Sequence, residues 1–374
     1  MRNEEGEVKR SSTVHSFLIY SFLIYSFLIC SLLTLPGEPT PPMATLVFVG
    51  DVMLGRGVAQ ALDGDWGAAF AGVQPWLAEA DLAFANLESP LAAVPPPLNP
   101  PRWGGRDRHP PHWGGRDRHP PRWGGQDRHP PRWGGQEGGT YDLRAPREAA
   151  AALRAAGFDV VSLANNHALD AGEAGLQETV NTLRTSGIVS AGNWEPGILL
   201  DWDAASSLNH LRIYPFTHLP TYRLLAFDDS VAPLDVDAAA RAVASVAERA
   251  GLVVVSIHWG AEYQAGPTLR QRAIARELAR AGADLIAGHG PHVPQRVEWV
   301  GQTLVAYSLG NFLFDQPYPA DCRWGAILRI TVQRDRIVAV EAFPTVAERG
   351  RVKPAGPQAA AAILIRLQLP TSNL

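Results

Sequence analysis

Cysteine is scarce in this sequence, and so is any surplus of positive charge. Only Cys30 and Cys322 occur in 374 residues, so no disulfide framework holds the fold or reports a redox compartment. The formal net charge is −4, although residues 101–139 hold eight arginines against four acidic residues. The rest of the chain is therefore more acidic than the net charge indicates. We expect no nucleic-acid partner.

The composition is otherwise ordinary, with 46% hydrophobic and 19% charged residues, which is typical of one large or two medium globular domains. One apolar run stands out at residues 14–35, after Lys9 and Arg10. It reaches the roughly 20 residues that span a bilayer, and no small-residue cleavage site follows it cleanly. Cations before the run and none soon after predict a single anchor within residues 1–42 and an extracytoplasmic main domain.

A second interpretation of this leader remains open. The run repeats SFLIY, SFLIY and SFLIC every five residues, a period that fits neither a helix nor a strand. Tandem duplication of DNA would produce such a repeat. Translation would then begin at Met43, directly before a predicted strand, and the protein would be cytoplasmic.

Residues 95–139 differ in kind from the rest of the chain. They contain decapeptides of the form PRWGGRDRHP that begin at Pro101, Pro111, Pro121 and Pro131. A segment so rich in proline and glycine favours neither helix nor sheet, which predicts a disordered, exposed insertion. Tryptophan and arginine could bind a polymer or metal there, but duplication without function is favoured. The insertion interrupts a main domain predicted over residues 43–345, and residues 346–374 are predicted to form a C-terminal tail.

Five apolar runs in the main domain each end in polar residues at a turn or a helix start. Any one of these ends is also typical of a turn or a cap, but five together are an improbable coincidence. Parallel strands of an open α/β sheet gather their carboxyl ends at one ligand-binding edge. Oxygen and nitrogen ligands suit a hydrolytic metal site. The residues concerned are Asp51, Asn86, Glu88, Asn166, His167, His258, His289 and His292.

Six segments also carry a family resemblance. They read FVGDVMLGRG, NLESPL, SLANNHALDAG, VSIHWGAEY, GADLIAGHGPHVPQ and YSLGNF. Together they resemble the CapA family of capsule or poly-γ-glutamate synthesis proteins, which is related to the calcineurin-like metallophosphatases. The resemblance covers residues 45–192 and 223–315, apart from the repeats. It implies an α/β fold, a four-layer α/β/β/α sandwich of the metallophosphatase-like type.

The resemblance also implies a site with one or two divalent ions, such as Mn, Fe or Zn. Carried over by position, one ion would be held by Asn166, His258 and His289. Glu88 would take the place of the bridging carboxylate. Asp51 and His292 would hold the other ion. His167 would assist the leaving group, with Asn86 as a second catalytic residue.

Three departures from the metallophosphatase pattern bear on activity. That pattern has a histidine where Met53 stands and an aspartate where Glu88 stands. It also has a histidine pair spaced by one residue, where GHGPH has two between His289 and His292. One metal site is therefore short of a ligand, so the resemblance does not establish an enzyme. Residues 193–222 match no motif of the family.

The leading functional hypothesis is a membrane-anchored protein acting in the synthesis, export or processing of an anionic exopolymer, through a hydrolase-like metal centre. Its expected partners are that polymer, or a small phosphoester, and membrane proteins of polymer synthesis. One alternative is a non-catalytic accessory that binds the polymer in the same cleft. The other is a soluble metallophosphoesterase that starts at Met43.

Overall fold

The computed structural model describes residues 43–93, 142–192, 222–248 and 251–370. The predicted anchor and the decapeptide repeats lie outside the described residues, and so does nearly all of the segment that matches no family motif. No helix in the described ranges is long and apolar enough to cross a bilayer.

Thirteen strands and seven α-helices make up the described chain, with two short 3₁₀ helices at Trp66–Ala68 and Ala320–Arg323. The strands are β1 Met43–Val52, β2 Leu82–Leu87, β3 Val160–Ser162, β4 Val189–Ala191, β5 Tyr222–Asp228, β6 Leu252–His258, β7 Leu285–His289, β8 Val297–Val300, β9 Thr303–Ala306, β10 Asn311–Leu313, β11 Trp324–Gln333, β12 Arg336–Glu348 and β13 Arg351–Pro354. The helices are α1 Arg56–Leu62, α2 Gln74–Ala78, α3 Ala149–Ala156, α4 Gly172–Thr185, α5 Val236–Ala247, α6 Leu269–Arg280 and α7 Pro357–Leu367.

These strands form two sheets. The first has the order β13-β12-β11-β1-β2-β3-β4, with β10 also paired to β1. Its β1 to β4 half is parallel. The second has the order β5-β6-β7-β9-β8, and its first four members are parallel. Each parallel half therefore collects its strand carboxyl ends at one edge.

Side chains alternate between the two faces of the central strands, as strand geometry requires. In β1, Leu46 and Phe48 face an inner core shared with Leu224, Val254 and Leu285 of the second sheet. Strands β2, β6 and β7 are buried along their whole length, as is typical of parallel strands that are covered on both faces.

Helices cover the two outer faces. Val47 and Val49 of β1 belong to an outer core with Leu77 of α2 and Leu153 of α3. On the far side, β6 packs in a third core with Val243 of α5 and with residues of α6. The layers therefore run helix, sheet, sheet, helix, and the predicted four-layer α/β/β/α sandwich is confirmed.

The chain after residue 345 is part of this fold. β12 continues to Glu348, and β13 pairs with it in antiparallel register. Ile363 and Leu367 of α7 are fully buried in the inner core. Through residue 370, the segment predicted as a tail therefore adds an edge strand and a packed helix.

Candidate metal centre

Strand register aligns the predicted site residues. Asp51 on β1 lies opposite Asn86 on β2 and opposite Asn311 on β10. In the second sheet, His258 on β6 lies opposite His289 on β7. The carboxyl ends of the two sheets thus place carboxylates on one side of the site and imidazoles on the other.

Asp51 is the centre of this cluster and is almost fully buried. Its Oδ1 accepts a hydrogen bond from Nδ2 of Asn86 at 2.9 Å, and Oδ2 lies 3.1 Å from Nδ1 of His292. Nδ1 of His289 lies 3.5 Å from Oδ1. Burial alone would raise the pKa of Asp51, but the close contacts with His289 and His292 and the charges of these rings outweigh it and hold the pKa far below its ordinary value. Asp51 is therefore a carboxylate at any physiological pH.

Glu88 is the second buried carboxylate, with no exposed surface. Its Oε1 accepts the other amide proton of Asn86 at 2.8 Å and lies 3.3 Å from Nε2 of His258. Its Oε2 lies 4.0 Å from Nε2 of His292. Glu88 thus stands between two imidazoles.

The imidazoles of His258 and His292 respond to these carboxylates. Burial would lower the pKa of His258, but the close contacts with Asp228 and Glu88 and the nearby negative charges raise it to about 10. For His292, burial is likewise outweighed by the charge of Glu88 and the bond to Asp51, which raise the pKa to about 9. Without a metal, both rings are protonated on both nitrogens at neutral pH and are therefore positively charged. Their positive charge then balances the carboxylates that a cation would otherwise neutralise.

The donor set fits divalent metal. Asp51, Glu88 and His292 each offer one ligand atom, and the three atoms lie within 4.8 Å of one another. Among the described residues, Oε2 of Glu88, Nε2 of His258 and both ring nitrogens of His289 have no hydrogen-bond partner of good geometry. A buried polar atom without a partner costs about 1–3 kcal/mol. Coordination would satisfy these atoms, and oxygen with imidazole nitrogen suits Mn, Fe or Zn.

Both N–H groups and the oxygen of the Asn86 amide form hydrogen bonds within the protein. Both its N–H groups go to carboxylates, and its Oδ1 accepts a bond from Nδ2 of Asn165 at 3.0 Å. Asn86, predicted as a catalytic residue, is therefore placed to orient Asp51 and Glu88.

The loop after β3 divides its polar residues between the interior and the surface. Asn165 is buried and also bonds the carbonyl oxygen of Leu87. Asn166, predicted as a metal ligand, is exposed, and its amide lies 3.1 Å from Nε2 of His167. The turn after β3 thus points the first amide inward and the second toward solvent.

His167 lies at the edge of the site, with 16% of its side chain exposed. Its Nδ1 lies 3.0 Å from Oδ2 of Asp170, and its backbone N–H donates to Oδ1 of Asn165. The residue is thus joined to the cluster through Asn165 and Asn86, and its ring is oriented by a carboxylate.

Two further features were missed or only partly foreseen from the sequence. Asn311 is fully buried, and its Oδ1 lies 3.0 Å from Nδ1 of His292. Its motif YSLGNF was noted, but nothing in its spacing indicated a contact with His292. Met53, where the metallophosphatase pattern has a histidine, is also fully buried, and its sulfur accepts a bond from the N–H of Gly55 at 3.1 Å. That position is filled by a packed thioether.

Comparison with known proteins finds relatives named for capsule and polymer synthesis. The chain is 27% identical over 320 residues to the capsule biosynthesis protein CapA of Bacillus anthracis, across 83% of this chain and 69% of that one. It is 33% identical over 187 residues to the PGA biosynthesis protein CapA of Bacillus subtilis, across 46% and 47%. A probable polyglutamine synthesis accessory protein of Mycobacterium tuberculosis is 30% identical over 181 residues, across 44% and 47%. The chain therefore spans about half the length of the latter two.

Solved structures show more distant likenesses. A novel phosphatase from Mycoplasma pneumoniae has a TM-score of 0.48 and 10% identity, covering 85% of this chain and 96% of that one. A hypothetical protein from Thermus thermophilus has a TM-score of 0.45 and 17% identity, covering 80% and 98%. At these values neither likeness bears on activity.

The family model of the bacterial capsule synthesis protein PGA_cap matches residues 45–102, 131–196 and 212–316. Those segments contain all the side chains of the buried cluster. They leave out residues 103–130, which lie within the decapeptide repeats. With more than half of the sequence matched, and with its site residues inside the match, the chain belongs to the bacterial capsule synthesis protein family PGA_cap.

Proposed function

We propose that this protein acts in the synthesis of an anionic capsule polymer and processes that polymer at a hydrolytic centre of two divalent ions. The observation that carries the proposal is the buried cluster, in which two carboxylates and three imidazoles meet. Four of their atoms have no hydrogen-bond partner of good geometry within the part of the chain that the structure describes.

One ion would be held by Asp51, Glu88 and His292, and the second by Glu88, His258 and His289. Glu88 is common to both sets because its two oxygens face different imidazoles. Bound divalent ions would polarise the scissile group and lower the pKa of water.

The side chains around these ligands have separate tasks. Asn86 holds both carboxylates in place through its two N–H groups. The ring of His167 is oriented through Nδ1 by Asp170. Its Nε2 contacts the exposed amide of Asn166, and that side chain would have to move aside for Nε2 to meet a substrate. In this proposal His167 gives a proton to the leaving group, a task that typically contributes about 10²- to 10⁴-fold in rate.

The names of relatives support the proposed substrate class. Relatives are named for capsule biosynthesis and PGA biosynthesis, which supports an anionic polymer of poly-γ-glutamate type. A third relative is named for the synthesis of polyglutamine, whose side chains are neutral. The partners would be that polymer and the membrane proteins that make it. Anchoring by residues 14–35, with the domain outside the cytoplasm, belongs to the same proposal.

Polymer cleavage tests the function. The full chain is loaded separately with Mn²⁺, Fe²⁺ or Zn²⁺ and incubated with poly-γ-glutamate or with p-nitrophenyl phosphate, and metal-free protein is the control. We expect polymer chain length to fall only with a metal-loaded sample. His167→Ala should keep its metal and lose this activity.

Two results would contradict this account. Metal-loaded protein that retains poly-γ-glutamate on a column but never shortens it would support a non-catalytic accessory. Cleavage of the phosphoester alone would support a phosphoesterase.

A further inference from the structure

The segment after β5 reaches the site although it carries none of the predicted ligands. Asp228 ends β5 and lies opposite His258 in the parallel pair of β5 and β6. The N–H of Asp229 donates to the carbonyl oxygen of His258 at 2.8 Å. The backbone of this segment is thus tied to the backbone of the histidine.

The side chains of the same segment hold the histidine ring. Nδ1 of His258 lies 2.9 Å from Oγ of Ser230 and 3.4 Å from Oδ1 of Asp228. Oγ of Ser230 also donates to Oδ1 of Asp228 at 2.5 Å. The ring, the hydroxyl and the carboxylate therefore form a closed triangle on the side of His258 that faces away from Glu88.

The donors and acceptors of this triangle are fixed by their chemistry. A serine hydroxyl has one proton, and here that proton goes to the carboxylate of Asp228. Its oxygen can then only accept, so Nδ1 of His258 must carry a proton. In a neutral ring Nε2 is left with the free lone pair, and Nε2 is the atom that faces Glu88 at 3.3 Å.

We propose that Asp228 and Ser230 are positioning residues that fix the ring of His258 so that Nε2 is presented as a metal ligand. This inference rests on the proposed metal centre. Carboxylates that accept the second ring N–H of a metal-bound histidine fix its tautomer and orientation, and their loss typically weakens metal affinity by about 10- to 100-fold.

Because His258 belongs to only one of the two ligand sets, the effect should be confined to one ion. His258 would serve the ion that it shares with His289, whereas Asp51 and His292 would hold the other. General damage to the fold would instead weaken both ions alike.

Co²⁺ titration of the full chain tests the inference by equilibrium dialysis and visible absorption. The variants are Ser230→Ala, which removes the hydroxyl of an exposed residue, and the double variant Asp228→Asn with Ser230→Ala. Asp229→Asn is the matched control, because that carboxylate pairs with Arg270. We expect the double variant to bind one Co²⁺ about 10- to 100-fold more weakly and the other with wild-type affinity. Ser230→Thr, which keeps the hydroxyl, should restore the affinity that Ser230→Ala loses.

The results that overturn the inference are distinct from those that overturn the metal centre. Wild-type protein that binds no Co²⁺ removes the metal centre and this inference with it. Wild-type protein that binds two ions, beside a double variant that binds both equally well, removes this inference alone. Equal weakening of both ions, or the same loss in Asp229→Asn, would show a merely structural effect and also overturn it.

Discussion

At the scale of single residues, two adjacent asparagines differ in burial: the side chain of Asn165 is buried and that of Asn166 is exposed. Asn165→Ala should lower the free energy of unfolding by at least about 1–3 kcal/mol, because it leaves the buried oxygens of Asn86 and Leu87 without their donor. Asn166→Ala should change it little, since that side chain is exposed. Chemical denaturation of both variants measures the difference.

Metal content of the same two variants decides the role predicted for Asn166. We expect Asn166→Ala to keep its metal and Asn165→Ala to weaken binding, since Asn165 supports Asn86 beneath both carboxylates. Loss of metal from Asn166→Ala alone would show that Asn166 is a ligand, as the sequence predicted, and would contradict the exposed position of its side chain.

The buried imidazoles predict a pH dependence for the metal-free protein. Folding raises the pKa of His258 to about 10 and that of His292 to about 9, from an ordinary value of 6.5. Their contribution to stability is therefore complete below about pH 6.5 and is lost as pH rises through 9 and 10. The pKa of Asp51 is lowered, so its contribution is present at neutral pH and lost only in acid.

Melting curves measured between pH 7 and 10 test this dependence. The melting temperature of metal-free protein should fall across that range, whereas metal-loaded protein should not show the fall, because its liganding imidazoles are already deprotonated. A metal-free melting temperature that stays constant or rises over this range would contradict the protonated imidazole pair.

How far these residues could be predicted depends on their strands. Asp51, Glu88, His258 and His289 lie at the carboxyl ends of buried parallel strands. An apolar run that ends in polar residues predicts such a strand end, and parallel strands share that edge. The sequence does not predict in this way which of Asn165 and Asn166 points into the protein. It depends on a turn of one residue after β3, and no periodicity fixes that turn.

At the scale of elements, the close approach of β1 and β10 builds one wall of the site. A Cβ placed on Gly50 would lie 1.8 Å from the carbonyl oxygen of Gly310, and the N–H of Asp51 donates to that same oxygen at 3.0 Å. The absence of a side chain at Gly50 thus lets β10 bring Asn311 beside His292.

Gly50→Ala should therefore cost more than the about 1–3 kcal/mol of ordinary overpacking, and it should weaken metal binding as well. Gly67→Ala is a matched control, because a Cβ there meets only one atom, at 4.0 Å. Thermal melting compares the two variants. A Gly50→Ala protein as stable as the Gly67→Ala protein would show that β1 and β10 approach less closely than the structure has them.

The sequence predicted the parallel strands better than it predicted the pairing of β1 with β10. Continuous runs of β-branched residues predict long buried strands such as β6. By contrast β10 has three residues, and its partner β1 lies more than 250 positions earlier in the chain. A pairing so short and so distant leaves no periodic trace, which is why the position of Asn311 was not foreseen.

At the scale of the whole molecule, the repeat insertion enters and leaves the domain through a fixed junction. Leu91 and Ala145 form a parallel bridge, and the N–H of Ala145 donates to the carbonyl oxygen of Pro90 at 2.9 Å. The N–H of Leu91 donates to Oγ1 of Thr179 on α4 at 2.9 Å. Both flanks are thus held by the domain itself.

Deleting residues 98–139 should leave melting temperature and metal content nearly unchanged. Closure of a longer or shorter loop changes stability by only about 0.6 kcal/mol per doubling of length, and the flanking contacts remain. Calorimetry and metal analysis of the deletion variant measure both quantities. A large fall in either would show that the decapeptides pack on the domain or supply ligands.

The central claim is that the buried cluster binds divalent ions through a shared Glu88, and metal stoichiometry tests it most directly. Wild-type protein, Glu88→Gln and the surface control Glu341→Gln are equilibrated with Mn²⁺ or Zn²⁺ and analysed by plasma mass spectrometry. About two ions per chain are expected for the wild type and the control, as in two-metal hydrolytic sites, and at least one ion should be lost from Glu88→Gln. Wild-type protein without bound metal, or a Glu88→Gln variant that binds as much as the wild type, would contradict the claim.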